Sequence, residues 1–121
     1  MMLSGEEIAQ ACRVWAQVEG SPEPSLSSLL KVVEMARGLA VTETDEPAAL
    51  LYAIGRFPRV FAAGWVLLGQ RLVLLQARRS GVPLPALEFH SFRSALVDIA
   101  AQRMSFAQAR SWLLDRAAPT S

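Results

Sequence analysis

Apolar residues recur at helical spacing along almost the whole chain, and the polar residues between them read as caps and breaks. Ser4 with Glu7 three residues later is a capping box, and Ile8, Ala11, Cys12, Trp15 and Val18 follow at three- and four-residue steps. Gly20-Ser21-Pro22-Glu23-Pro24 interrupts that pattern. Ser25 then opens a second helix, with Leu26, Leu29, Leu30, Val33 and Ala36 on one face and Gly38 where a left-handed C-terminal residue belongs. Leu39 to Thr44 is short, and its Val41-Thr42 pair favours extended backbone, which leaves room for one short flap strand. Thr44 or Asp45 caps a third helix with Pro47 in its first turn, and Pro58 closes that helix or its loop.

The pattern from Val60 to Arg79 is apolar nearly all round. Phe61, Trp65, Leu68, Leu72 and Leu75 share a face, while Val60, Val66, Leu67, Val73 and Leu74 fill much of the rest. Such a helix is expected at the centre of the fold, wrapped by its neighbours. Gly64 and Gly69 inside it each cost about 1 kcal/mol against alanine, which points to close helix–helix approach. Ser80-Gly81 ends it, and Val82-Pro83-Leu84-Pro85 is a linker. A fifth helix follows to about Gln102, with Phe89, Phe92, Leu96 and Ile99 inward. Ser105 with Gln108 is a second capping box and opens a last helix with Ala109, Trp112 and Leu113 inward. The expected fold is all-α: about six helices around a buried central helix, in one domain over residues 1–121, with 1–3 and 117–121 frayed.

Composition narrows the function classes. With 52% hydrophobic residues the chain can bury a continuous core, and with 19% charged residues it is not a disordered sequence. Twelve Lys and Arg against eleven Asp and Glu leave a net charge of +1, which argues against a dedicated nucleic-acid binder. Cys12 is the only cysteine, so an intrachain disulfide or a thiolate metal site is excluded, and its place on a helical apolar face reads as a buried structural thiol. Residues Met1 to Glu7 lack the pattern of a signal peptide, and the apolar run from Val60 to Gly69 falls short of a membrane span. A cytoplasmic protein is expected.

The order of these features resembles the Doc type of the Fic (Fido-fold) superfamily, the toxins of phage and plasmid addiction modules. The likeness covers most of the chain. Leu3-Ser4-Gly5-Glu6-Glu7-Ile8 is similar to the family's hydrophobic-S-x-E-E opening. The second helix and flap-like segment follow, then Ala77-Arg78-Arg79-Ser80-Gly81-Val82, much like L-R-R-N-G. Ala95-Leu96-Val97-Asp98-Ile99-Ala100, Met104-Ser105-Phe106-Ala107-Gln108-Ala109 and Trp112-Leu113 resemble the family's A-L … S-x-x-x-(I/L)-A-x-W-L ending.

The family's chemistry lies in H-x-F-x-(D/E)-(A/G)-N-(K/G)-R at the start of the central helix. Ungapped counting from Arg78-Arg79 sets it on Arg59-Val60-Phe61-Ala62-Ala63-Gly64-Trp65-Val66-Leu67. Phe61 and Gly64 match. Arg59 replaces the base histidine, and an arginine stays charged where a base near neutral pKa is needed. Ala63 replaces the metal-binding acid and offers no oxygen. Trp65 replaces the asparagine, and Val66-Leu67 replace the residues that would hold nucleotide phosphates. The resemblance therefore implies a fold retained for something other than the family's phosphoryl or nucleotidyl transfer, with no metal and no cofactor. It also implies an apolar groove, lined by parts of the first, second and central helices, that takes an antitoxin-like peptide or another protein partner.

Other candidates have plainer readings. His90 is the only histidine and has no nucleophile elbow beside it, so it reads as structural. Trp15, Trp65 and Trp112 at helical spacing read as core. Arg56 and Arg59, with Arg71, Arg78 and Arg79, are candidates for a weak residual anion site, set against solvated charges at helix ends. The alternatives to a binding role are a divergent Fic-type transferase using ATP and magnesium, and an unrelated helical interaction domain. A homo-oligomer is compatible with either binding role.

Overall fold

The computed structural model describes residues 1–19, 24–61 and 65–117 (for 18 and 19, the backbone only). Those residues form an all-helical fold with six α-helices and no strand. The helices are α1 (Gly5–Glu19), α2 (Leu26–Leu39), α3 (Glu46–Arg56), α4 (Trp65–Arg79), α5 (Phe89–Ala100) and α6 (Phe106–Leu114). Short 3-10 turns at Glu43–Asp45 and Pro58–Phe61 flank α3.

Three of the predicted starts hold at atomic detail, while the expected Thr44 or Asp45 cap of α3 makes no side-chain cap bond. Ser4 Oγ accepts the Glu7 N–H at 3.1 Å and Glu7 Oε1 accepts the Ser4 N–H at 3.1 Å, so both donors are satisfied reciprocally. Ser105 and Gln108 repeat the arrangement at α6, at 2.8 and 3.2 Å. Ser25 caps α2 by accepting the Ser28 N–H. At α5 the cap is Glu88, whose carboxylate accepts the His90 and Ser91 N–H groups at 3.0 and 2.7 Å. Those bonds, His90 first, hold its pKa below the usual carboxylate value.

The central helix is α3, not the segment from Val60 to Arg79. Nine of its eleven residues are buried, and it packs against α2, α4, α5 and α6. Its small residues explain this: Ala48, Ala49, Ala53 and Gly55 let neighbours approach from several sides. At Gly55 an added Cβ would lie 2.6 Å from Ile99 Cγ2, so the Ile99 side chain of α5 sits directly on the α3 backbone. In α4, by contrast, six of fifteen residues are buried: Leu68, Gly69, Leu72, Val73, Gln76 and Ala77. Leu67 and Leu75 are exposed at 50% and 39%. The helix also starts later than expected, because Val60 lies in the 3-10 turn that follows Pro58.

Helix α4 ends as its sequence foretells. Gly81 has φ +72°, the Val82 N–H donates to the Ala77 carbonyl at 2.9 Å, and the Gly81 N–H donates to the Arg78 carbonyl at 3.4 Å, a Schellman closure. Gly38 plays no such part: α2 continues to Leu39 and is capped by Ala40. Leu26 and Leu30 turn outward, with Val32 in their place on the buried face, and Phe89 is exposed rather than inward.

Two further expectations are corrected. The flap is not a strand, because Asp45 Oδ2 accepts the Val41 and Thr42 N–H groups at 3.3 Å and gathers them onto the 3-10 turn. Residues 1–3 are not frayed. Met2 and Leu3 are buried, the Leu3 N–H donates to Gln76 Oε1 at 2.6 Å, and the Met1 carbonyl accepts from Gln76 Nε2 at 3.0 Å. At the other end, residues 118–121 lie outside the described residues.

Candidate functional site

Of the positions aligned with the family motif, Ala62, Ala63 and Gly64 lie outside the described residues. The others have separate surroundings. Arg59 is exposed on the 3-10 turn, and Phe61, at the end of that turn, is buried in the core. Trp65 opens α4 and donates its indole N–H to the Ile54 carbonyl at 3.2 Å, which fastens α4 to the last turn of α3. Val66 is half-buried and Leu67 is exposed. Arg56 is half-buried in the last turn of α3, and neither it nor Arg59 pairs with a carboxylate among the described residues.

The other singled-out residues are dispersed. His90 is exposed beside Phe89, ring centroids 5.5 Å apart. Trp112 packs on Phe92 and carries the Arg116 guanidinium 4.0 Å above its ring. Cys12 is buried in the core. Among the described residues no group of His, Cys, Asp and Glu has the arrangement to hold a metal ion, and no helix is long and apolar enough to cross a membrane.

What the fold does bring together is a groove between α1 and α4. These helices run antiparallel, since Glu7 meets Arg79 near one end and Trp15 meets Arg71 eight residues further along each helix. At the first contact the Arg79 guanidinium donates to both Glu7 oxygens, with Nη1 to Oε1 at 2.7 Å. Arg79 and the Ser4 N–H bring the Glu7 pKa down to about 2. At the second, the Arg71 guanidinium carbon is 5.9 Å from the Trp15 ring centroid, within cation–π range.

Beyond these clasps the helices leave an open groove of about 620 Å³. Ala11, Val14 and Trp15 form its α1 wall; Leu67, Leu74 and Leu75 form the apolar part of its α4 wall. Val14 is 44% exposed, so with Leu67 and Leu75 three large apolar side chains face solvent in one concavity. Gln70, Arg71 and Arg78 are its polar lining, with no carboxylate. Gln70 is already engaged, donating to the Leu87 carbonyl and so holding the linker against α4. A second hollow of about 540 Å³, between the end of α4 and that linker, shares Leu74 and Arg78 with the first. Expectation had placed α2 in the groove as well; α2 contributes no lining residue, because it packs on α3 with its buried face and lies across α1 from α4.

A polar cluster sits beneath the same helix. Gln76 is fully buried, and its Nε2 donates to Ser80 Oγ at 2.9 Å as well as to the Met1 carbonyl. Ser80 Oγ in turn donates to Glu46 Oε1 at 3.4 Å. These groups use one another's donors and acceptors and tie the N-terminal segment, α4 and α3 together, a structural arrangement rather than a reactive one. Sequence periodicity had no means of finding it, because a glutamine on a helix reads as a surface residue.

Compared with known proteins, the chain matches no family model and no curated relative.

Proposed function

We propose that this chain is a Doc-like domain that has abandoned transfer chemistry and works by binding a protein partner, an antitoxin-like peptide or another protein, in the α1/α4 groove. The observation that carries the reading is the cluster of Val14, Leu67 and Leu75, each 39–50% exposed, around one concavity. Covering them would contribute about 1 kcal/mol per side chain, half the value of full burial. Exposed apolar groups gathered in a groove mark an interaction site, whereas scattered ones do not. Leu67 gives the reading its second support. It stands where the family pattern has a phosphate-binding arginine, and here it is an apolar residue turned toward the groove. The Doc likeness rests on the colinear sequence segments alone; the lack of a flap strand among the described residues and the central place of α3 lend it no support and are the features an unrelated helical interaction domain would share.

The transfer half of the proposal is tested by incubating the protein with labelled ATP, magnesium and a cell lysate. No label is expected on any protein, since loss of the base alone removes a factor of roughly 10²–10⁴ in rate. Label transferred by the wild type and lost in Arg59→Ala would establish the divergent transferase instead. The binding half is tested with Leu67→Glu, which leaves the fold intact and places a charge in the groove. Sedimentation of both forms tells whether the occupant is a second copy of the chain.

A further inference from the structure

The rim of the groove carries two arginines without acidic partners, and from this we infer that its occupant is an amphipathic helix with carboxylates spaced along the edge of its apolar face. The inference rests on the groove reading above and adds the partner's chemistry to it. Three arginines project from the exposed side of α4. Arg79 is satisfied by Glu7, while Arg71 and Arg78 meet no carboxylate among the described residues. Both line the groove and both are exposed. They are seven residues apart, about two turns of one helix, so they leave the backbone on one face about 10.5 Å apart along the axis.

An apolar occupant would remove water from the groove side of both guanidinium groups. Arginine cannot shed its proton, so a cation desolvated without an acceptor is costly. A purely apolar partner would meet that penalty twice. A helix laid along α4 with carboxylates at the same seven-residue interval would avoid it, and the planar guanidinium suits bidentate pairing with a carboxylate. Arg71 is already poised for this, because its stacking on Trp15 limits the freedom it would lose on pairing. Nucleic acid is the other polyanion these arginines would attract. The observations favour a peptide: Leu74 and Leu75 lie between the arginines along α4 and Leu67 lies one turn before them, all lining the groove, and the chain's net charge is +1, too little for a phosphate-tracking stripe.

The probe is a displayed library of 20-residue helical peptides, with leucine fixed along one face and Glu, Gln, Lys or Ala at the flanking positions. It is selected on the full chain and counter-selected on Leu67→Glu. We expect the Leu67-dependent binders to carry glutamate at two positions seven apart. A synthetic copy of the strongest should lose about tenfold in affinity to Arg71→Gln/Arg78→Gln, the size of two partly exposed ion pairs, and weaken further as salt is raised. Leu67-dependent binders with no acidic preference, or an unchanged affinity for the double variant, would overturn this inference and leave the groove reading standing. No Leu67-dependent binder at all would remove the groove reading and this inference with it. Tighter, Arg71- and Arg78-dependent binding of a labelled oligothymidylate would assign the arginines to nucleic acid instead. Circular dichroism of each variant confirms the fold, since all three positions are exposed.

Discussion

Replacing Gln76 with methionine should destabilise the protein by about 2 kcal/mol, although the change is nearly isosteric and makes the core more apolar. Gln76 is fully buried and serves three groups: the Leu3 N–H, the Met1 carbonyl and the Ser80 hydroxyl. Their losses differ. Met1 is 71% exposed, so water replaces the amide at its carbonyl. Ser80 keeps Glu46 as an acceptor. The Leu3 N–H is left without a partner among the described residues, and Leu3 is only 6% exposed to water. An orphaned buried donor costs about 1–3 kcal/mol, and losing the Ser80 bond adds about 0.5–1. Better burial of the thioether returns a part of that. At about 3–5 °C per kcal/mol for a chain of this size, Tm should fall by roughly 6–10 °C. Gln76→Glu should be worse at neutral pH, where a second carboxylate enters the cluster that holds Glu46, and should recover partly in acid as the new group protonates. Calorimetry gives both numbers, and hydrogen exchange at the Leu3 amide gives the cause. A methionine variant that melts with the wild type and keeps that amide protected would refute the pairing.

The glycines make a pair of opposite expectations. Gly55→Ala drives a Cβ to 2.6–2.7 Å from Ile99 Cγ2 and Cβ, atoms that cannot swing away, so α3 and α5 must part; overpacking of about 1–3 kcal/mol outweighs the helix propensity gained, and Tm should drop. Gly38→Ala meets nothing within 4 Å inside α2 and should raise Tm by a few degrees, through about 0.5 kcal/mol of propensity near a helix end. The Glu7–Arg79 clasp should show in acid: the folded Glu7 pKa is lowered from 4.5 to about 2, so its contribution is complete above pH 4.5 and lost as pH falls through 2. Glu7→Gln, which keeps the capping box, should therefore melt below the wild type at pH 7 and with it near pH 2; a constant gap across that range would show that the charge is not what matters. On α4, Leu72→Ala should cost about 2–5 kcal/mol and Leu67→Gln less than about 0.5, since the first side chain is fully buried and the second half-exposed.

Most local signals of this sequence do what their spacing implies where a side chain acts on its own turn; Gly38 does not, because α2 runs on to Leu39. Ser4 with Glu7, Ser25, Ser105 with Gln108, and Gly81 all act within a few residues, and each does what its spacing implies. What depends on a distant partner was misread. Residues 1–3 looked like a loose end because nothing near them in sequence holds them; Gln76 holds them across the fold. Val41-Thr42 favours a strand by propensity, and there the competing signal is local: Asp45, three and four residues on, takes the N–H groups a strand would need. The helical core was placed one element too late. Alanines and a glycine carry little hydrophobic weight, so α3 looked modest beside the leucine-rich α4, although it is small residues that allow a helix to be packed on several sides. Of the site, the apolar groove along the first and central helices and the arginines of α4 are legible in the sequence; which of those arginines Glu7 takes is not, because the two meet only across the fold.

That misreading of α4 is itself informative about function. A helix apolar on nearly every face is expected in an interior, because no monomer gains from leucines in water. In this fold the interior position belongs to α3, and α4 keeps Leu67, Leu74 and Leu75 on the side that faces α1 and solvent. Leu68, Leu72, Val73 and Ala77 face inward and Leu74 packs partly on the core, which leaves Leu67 and Leu75 turned outward. The outward leucines thus add apolar character that the isolated chain does not use, interleaved with Arg71 and Arg78, which it does not pair. Local choices that conflict with the monomer's own packing are expected at functional sites. An occupant that covers the leucines and answers the arginines would resolve both conflicts at once, and α4 would then be interior on both faces, as its sequence reads.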